Sequence, residues 1–154
     1  MKTINVKHWT SDKDIKILFS ILKQKNEESR FIGGCVRDLL IKKKDADIDM
    51  ATTIVPNKVL ELLKKNNIKT LTSGISHGTV IALINKRKFE ITTLRKDVST
   101  DGRHANVQFT SNWELDASRR DFTINAIYAD INGRIFDPLN GILDLQNGKI
   151  KFIG

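Results

Sequence analysis

At 154 residues, 40% hydrophobic and 29% charged, the chain is long enough to bury one real core and has the balance of an ordinary globular domain. It holds no apolar run of membrane-spanning length, and its single cysteine, Cys35, excludes both an internal disulfide and a cysteine-built metal site. The 26 Lys+Arg against 18 Asp+Glu leave a formal charge of +8, which suits a polyanionic partner or reflects only a Lys/Asn/Ile-rich bias.

The first stretch, MKTINVKHWTSDKDIK, has no apolar core and carries acids, so it reads as neither a secretory signal nor a typical transit peptide. A reducing, cytoplasm-like compartment fits best, and a mitochondrial one stays open. Ser11 with Asp14 forms a capping-box-like start, and Ile15, Leu18, Phe19 and Leu22 recur at helical spacing, which predicts a helix over 12–25. Arg30–Ile32 reads as a strand running into Gly33-Gly34. Val36, Leu39 and Leu40 suggest a short helix, ended by the basic loop Lys42-Lys43-Lys44. Asp47–Ala51 reads as a strand, and Thr53 to Lys65, with Pro56 near its start, as a second helix.

Three β-rich stretches follow, Ile68–Thr72, Thr79–Ile84 and Lys88–Leu94, the last two joined by Asn85-Lys86-Arg87 as a hairpin. Residues 96–112 are polar with one glycine and read mainly as a loop. Trp113–Asp130 regains helical character, Asn132-Gly133 marks a tight turn between two short strands, and the tail reads as a turn, a short helix and a last strand. The expected fold class is one α+β domain, a mixed sheet flanked by helices.

The strongest local constellation is Gly33-Gly34 followed by Asp47-Ile48-Asp49. Strand side chains alternate, so Asp47 and Asp49 share a face with Ile48 on the other. Two carboxylates so close stay ionised together only with cations between them, and oxygen-liganded Mg²⁺ is the natural occupant. The glycine pair removes side chains where backbone N–H groups and a helix start approach a triphosphate. In Phe89-Glu90-Ile91 an acid sits between two apolar strand residues and points away from the face they bury. If its strand neighbours that of Asp49, three carboxylates converge on two metal ions able to polarise a 3′-hydroxyl and stabilise a leaving pyrophosphate. A solvated Glu90 on an exposed sheet face is the competing reading.

The segments FIGGCVRDLL…DADIDMATT, FEITTLRKDVSTDGRHANVQFT and RRDFTINAIY resemble the successive motifs of the class II tRNA nucleotidyltransferases, the CCA-adding enzymes and related bacterial poly(A) polymerases. The similarity runs from about Phe31 to Gly154. It implies a polymerase-β-like nucleotidyltransferase head that transfers CMP and AMP from CTP and ATP to the 3′ end of tRNA. In the motif pattern Asp47 and Asp49 match the metal-binding pair and Glu90 the third acid. Gly33, Gly34 and Arg37 match the triphosphate site, where a guanidinium offers a bidentate fork, against a plain ion pair with Asp38. Arg95 matches another basic position near the site, against a solvated strand-end arginine.

Arg120, Asp121 and Asn125 match the motif associated with ribose recognition and nucleotide placement. On a helix Asp121 and Asn125 would share a face. Arg120 is the expected nucleotide contact, and Phe122 reads as core. Asp101-Gly102-Arg103-His104 matches the family's flexible loop beside the active site. Neither His77 nor His104 has metal-ligand spacing.

The family's chains continue past a sequence like KIKFIG into a helical neck, body and tail, which select the base and grip the tRNA. The resemblance therefore implies a head lacking its helical remainder, as one piece of a longer chain, one half of a split enzyme with a separate helical subunit, or a degenerate remnant. A poly(A) polymerase head shares these motifs. A small nucleotidyltransferase acting on a protein or antibiotic shares the glycine pair and D-x-D alone, and a non-catalytic RNA-binding or partner-docking module rests on charge alone.

Overall fold

A computed structural model describes residues 3–43, 47–100 and 105–154. Asp101–His104, matched above to the family's active-site loop, lies outside the described residues, as does Lys44 of the basic loop.

Helix α1 (Lys7–Thr10) leads into α2 (Lys13–Leu22). The cap of α2 is Asp12, not Ser11: its carboxylate accepts from the backbone N–H of Asp14 (2.9 Å) and Ile15 (3.2 Å). Ser11 instead donates its hydroxyl back to the His8 carbonyl. Strand β1 (Ser29–Ile32), helix α3 (Gly34–Leu40) and strand β2 (Ile48–Thr52) come next. Helix α4 (Pro56–Lys65) starts three residues later than the periodicity suggested. Thr53 is held out of it, with its N–H on the Glu28 carbonyl and its hydroxyl accepting from Glu28 N–H.

Strands β3 (Lys69–Leu71), β4 (Thr79–Ile84) and β5 (Arg87–Thr93) follow, and Asn85 and Lys86, both at positive φ, form the two-residue hairpin turn between the last two. The stretch read as a loop is a separate two-stranded ribbon, β6 (Arg95–Thr100) with β7 (Ala105–Phe109). Val98 and Phe109 remain exposed on it, so the inside–outside alternation that betrays a strand is missing.

The expected long helix over Trp113–Asp130 is also corrected. Helix α5 (Trp113–Ser118) stops early, a 3₁₀ turn spans Thr123–Asn125, and β8 (Tyr128–Ala129) joins the sheet. The Asp121 carboxylate accepts the N–H of Phe122 (2.7 Å), the kind of local bond that competes with helix. Strand β9 (Ile135–Phe136) and helix α6 (Gly141–Gln146) follow, with Asp137 capping α6 through the N–H groups of Gly141 and Ile142. In place of the expected last strand, the tail makes a single bridge between Phe122 and Phe152.

The main sheet runs β3-β4-β5-β2-β1-β8-β9, and among the described residues β2–β5 is its one parallel pair. One face, with Phe31, Met50, Phe89 and Ile91, packs on Ile15, Leu18 and Leu22 of α2 and on Val59 and Leu63 of α4. Fully burying each such side chain contributes about 1.5–3 kcal/mol. Ile32, Ala51, Leu94 and Tyr128 belong to a second, smaller cluster with Ala117 and Ala126. No helix is long and apolar enough to cross a membrane among the described residues.

Candidate active site

The site grows from the pairing of β2 with β5. Parallel register sets Ile48 beside Phe89 and Asp49 beside Glu90. Ile48 and Phe89 are buried in the larger core, so the acids project from the opposite side. Asp49 is pushed up to about 6, first by burial, then by the neighbouring carboxyl of Glu90 and the charge of Asp47, while Arg120 pulls the other way. Asp47 stands exposed just before β2. Asp49 and Glu90 are thus brought together with Asp47 flanking them, and among the described residues no three His, Cys, Asp or Glu side chains close into a metal-gripping cluster.

Next to this pair, β1 ends in the glycine pair. Gly33 has φ 77 and ψ −133, a conformation for which a side chain carries strain, and it precedes α3. A Cβ on Gly33 would meet nothing within 4 Å, so the backbone there faces open space, whereas one on Gly34 would touch Arg37 Nη2 at 3.5 Å. Arg37 itself makes the ion pair weighed for it and a second contact besides: Nε donates to Asp38 Oδ1 (3.3 Å) and Nη1 to Asn125 Oδ1 (2.8 Å).

Asn125 passes the link on, its Nδ2 donating to Asp121 Oδ1 (3.1 Å). The two residues meet across a turn, not along the helix face the sequence suggested. Asp121 is held below the usual carboxylate range, chiefly by Asn125. Phe122 packs on Phe152, with ring centroids 4.8 Å apart.

Arg120 is largely committed to the protein. Its Nε and Nη2 donate to Asp116 Oδ2 (3.3 and 3.0 Å), and Nε also reaches the Tyr128 hydroxyl (3.3 Å). Arg95 donates from Nη1 to the His77 carbonyl (2.8 Å), and its backbone N–H binds Asp116 Oδ1 (3.1 Å). Burial and the charge of Arg119 push its pKa down, and its Nε is buried without a partner among the described residues.

Asp116 is the residue that sequence reasoning missed. It is 2% exposed and takes bonds from Arg120, from Arg95 N–H and from Tyr128 Oη at 2.6 Å. Burial drives the Tyr128 hydroxyl pKa upward. The available signal was the four-residue spacing of Asp116 and Arg120.

Carboxylates on β2 and β5, an open glycine backbone after β1 and arginines beyond it make a surface with an acidic centre and a basic flank. Residues 29–151 match the family model described as the poly A polymerase head domain. The chain is similar to the mitochondrial CCA tRNA nucleotidyltransferase 1 of Homo sapiens, 46% identical over 141 residues, covering 91% of this chain and 32% of that protein. It is likewise similar to the CCA-adding enzyme of Oceanobacillus iheyensis, 46% identical over 129 residues, 82% of this chain and 31% of that one. The solved Bacillus stearothermophilus CCA-adding enzyme in complex with CTP superposes with a TM-score of 0.77 at 36% identity, over 89% of this chain and 32% of that chain. This chain therefore spans about a third of the length of these relatives, and it belongs to the poly A polymerase head domain family.

Proposed function

We propose that this chain is the catalytic head of a template-independent RNA nucleotidyltransferase, transferring CMP and AMP from CTP and ATP to the 3′ end of tRNA. The observation that carries this reading is the Asp49–Glu90 register beside the open Gly33–Gly34 backbone. The names of the relatives, CCA-adding enzymes, support the substrate.

The donor set suits divalent metal. Asp49, raised by burial and by two neighbouring acids, carries a repulsion that a hard, oxygen-liganded cation such as Mg²⁺ relieves. Asp47, Asp49 and Glu90 would hold the metal. Bound there, it supplies Lewis acidity at the transferred phosphorus and activates the 3′-hydroxyl.

The chain's own residues do the placing. Backbone N–H groups at Gly33–Gly34 and the Arg37 fork receive triphosphate oxygens, with Asn125 fixing the Arg37 guanidinium. The 3′-hydroxyl gives up its proton to solvent, and its oxygen forms a bond to the α-phosphorus as the α–β phosphoanhydride breaks and pyrophosphate leaves. Arg120, anchored by Asp116, lends positive charge to the acid cluster without leaving its network. The base-selecting and tRNA-gripping parts are assigned to a helical region, continuous or supplied as a separate subunit, corresponding to the part of the relatives' length that this chain does not match.

The test is labelled-nucleotide transfer to tRNA by the chain joined with such a helical region, against Asp47→Ala with Asp49→Ala. Loss of transfer in the double variant is the expected result. Unchanged behaviour makes the chain a non-catalytic RNA-binding or partner-docking module, and unlimited adenylate addition makes it a poly(A) polymerase head.

A further inference from the structure

Arg37 and Asn125 hold each other, so the aim of the Arg37 fork depends on whatever holds Asn125. Asn125 is the last residue of a 3₁₀ turn only three residues long. Inside it, the N–H of Asn125 donates to the Phe122 carbonyl (3.0 Å) and that of Ala126 to the Thr123 carbonyl (3.1 Å). So short a turn has poor hydrogen-bond geometry and takes its shape from its surroundings.

Those surroundings act on Thr123. It is 5% exposed, and a hydroxyl so buried costs free energy unless it is bonded. Its Oγ1 donates to Asp144 Oδ2 at 2.5 Å, the length of a hydroxyl-to-carboxylate bond. A β-branched side chain is stiff at χ1, so fixing Oγ1 fixes the Thr123 backbone as well. The Thr123 N–H is bonded too, to the Lys151 carbonyl (3.1 Å). Asp144 stands on α6, whose first turn is capped by Asp137 and whose Ile142 is buried in the larger core. Gly141, one helical turn before Asp144, packs directly on the Thr123 carbonyl, so α6 meets the 3₁₀ turn at a carbonyl and at a hydroxyl.

We infer that Asp144 is a positioning residue for the incoming nucleotide: through the Thr123 hydroxyl it sets the turn that carries Asn125, and so the aim of the Arg37 fork at the triphosphate. Asp144 acts through Thr123 and Asn125, not on the nucleotide itself. This rests on the function proposed above and adds to it the residue that keeps the fork in place.

Two measurements on the full chain test it, one without nucleotide and one with. Thr123→Val keeps the shape and loses the donor, Asp144→Ala loses the acceptor, and Thr123→Ser keeps the hydroxyl. Asp144 is only half-buried and can turn to water when its partner is lost, so Thr123→Val carries the test if Asp144→Ala does not fold. Heteronuclear NMR follows the Asn125 side-chain amide and the Arg37 Nε–H. Both signals are expected to move in Thr123→Val and Asp144→Ala and to stay in place in Thr123→Ser. Mg-CTP affinity is expected to fall about fivefold in the first two and to be kept in Thr123→Ser. In an Asn125→Ala background, Asp144→Ala is expected to cost no further affinity, whereas independent losses would add. Unmoved signals, moved signals with unchanged affinity, or additive losses overturn the inference and leave the proposed function standing. No Mg-CTP binding by the unaltered chain, alone or joined with the helical region, overturns the function and the inference with it.

Discussion

Arg37 and Asn125, 88 residues apart in the chain, are joined by a 2.8 Å hydrogen bond from Nη1 to Oδ1, which ties the helix after the glycine pair to the segment RRDFTINA. Losing a hydrogen bond to a charged group costs about 1.5–3 kcal/mol, or roughly tenfold or more in affinity. Asn125→Ala is expected to weaken CTP and ATP binding by about that factor, and Arg37→Lys, which keeps the charge but not the fork, by as much. Nucleotide titration by calorimetry reads this. Unchanged affinity in both variants makes the contact purely structural.

The raised Asp49 gives a pH signature. Its folded-state value of about 6 exceeds the ordinary 3.8, so the folded chain holds that proton more tightly than the unfolded one. Asp49 therefore lowers stability progressively as pH rises from about 4 to 6. Asp49→Asn removes the penalty and should be the more stable protein at pH 7 by about 1 kcal/mol, a figure reduced for solvent screening, with the difference gone at about pH 4. Urea unfolding without divalent ions measures it. Adding Mg²⁺ should then stabilise the unaltered chain more than the variant, and equal stability of the two at pH 7 refutes the account.

Asp116 is buried under two arginines and a tyrosine hydroxyl. Removing one member of a buried charge pair costs about 3–5 kcal/mol, so Asp116→Ala should lose about 10 °C in thermal midpoint. Tyr128→Phe, which deletes only a hydroxyl bonded to that carboxylate and leaves Arg120 in place, should cost less, about 1.5–3 kcal/mol. Thermal unfolding separates the two, and similar midpoints would place the strength of the network elsewhere.

Gly141 carries another consequence. A Cβ there would lie 2.1 Å from the Thr123 carbonyl oxygen, so backbone must move. Gly141→Ala should destabilise by about 2–3 kcal/mol and shift the turn that holds Asn125, weakening nucleotide binding as well. Full affinity in a destabilised variant would show that the turn repacks without disturbing Asn125.

The sequence made the central strands legible where one face is buried, as in β4 and β5, and the turn at Asn85-Lys86 where the chain must enter left-handed space. It concealed the β6–β7 ribbon, whose exposed Val98 and Phe109 break any alternation. The end of α5 was hidden for another reason: composition around Asp121 favours helix, and the stop comes from a side chain bonding its neighbour's N–H. In the site, alternation set Asp49 and Glu90 on faces of their strands, but it carries no information on which strands are adjacent. The part played by Asp116 was out of reach for a similar reason, since Tyr128 and Arg95 reach it only through tertiary packing.

The parallel pairing of β2 with β5 has a consequence for biosynthesis. A parallel neighbour cannot be reached by a tight turn, so α4, β3 and β4 must all be made between the strand of Asp49 and that of Glu90. While the polypeptide is still emerging from the ribosome, Asp49 has no acidic neighbour on β5, and the clash of charges that lifts its proton affinity is not yet felt. The centre is assembled by long-range closure, which has to wait until β5 itself has been made.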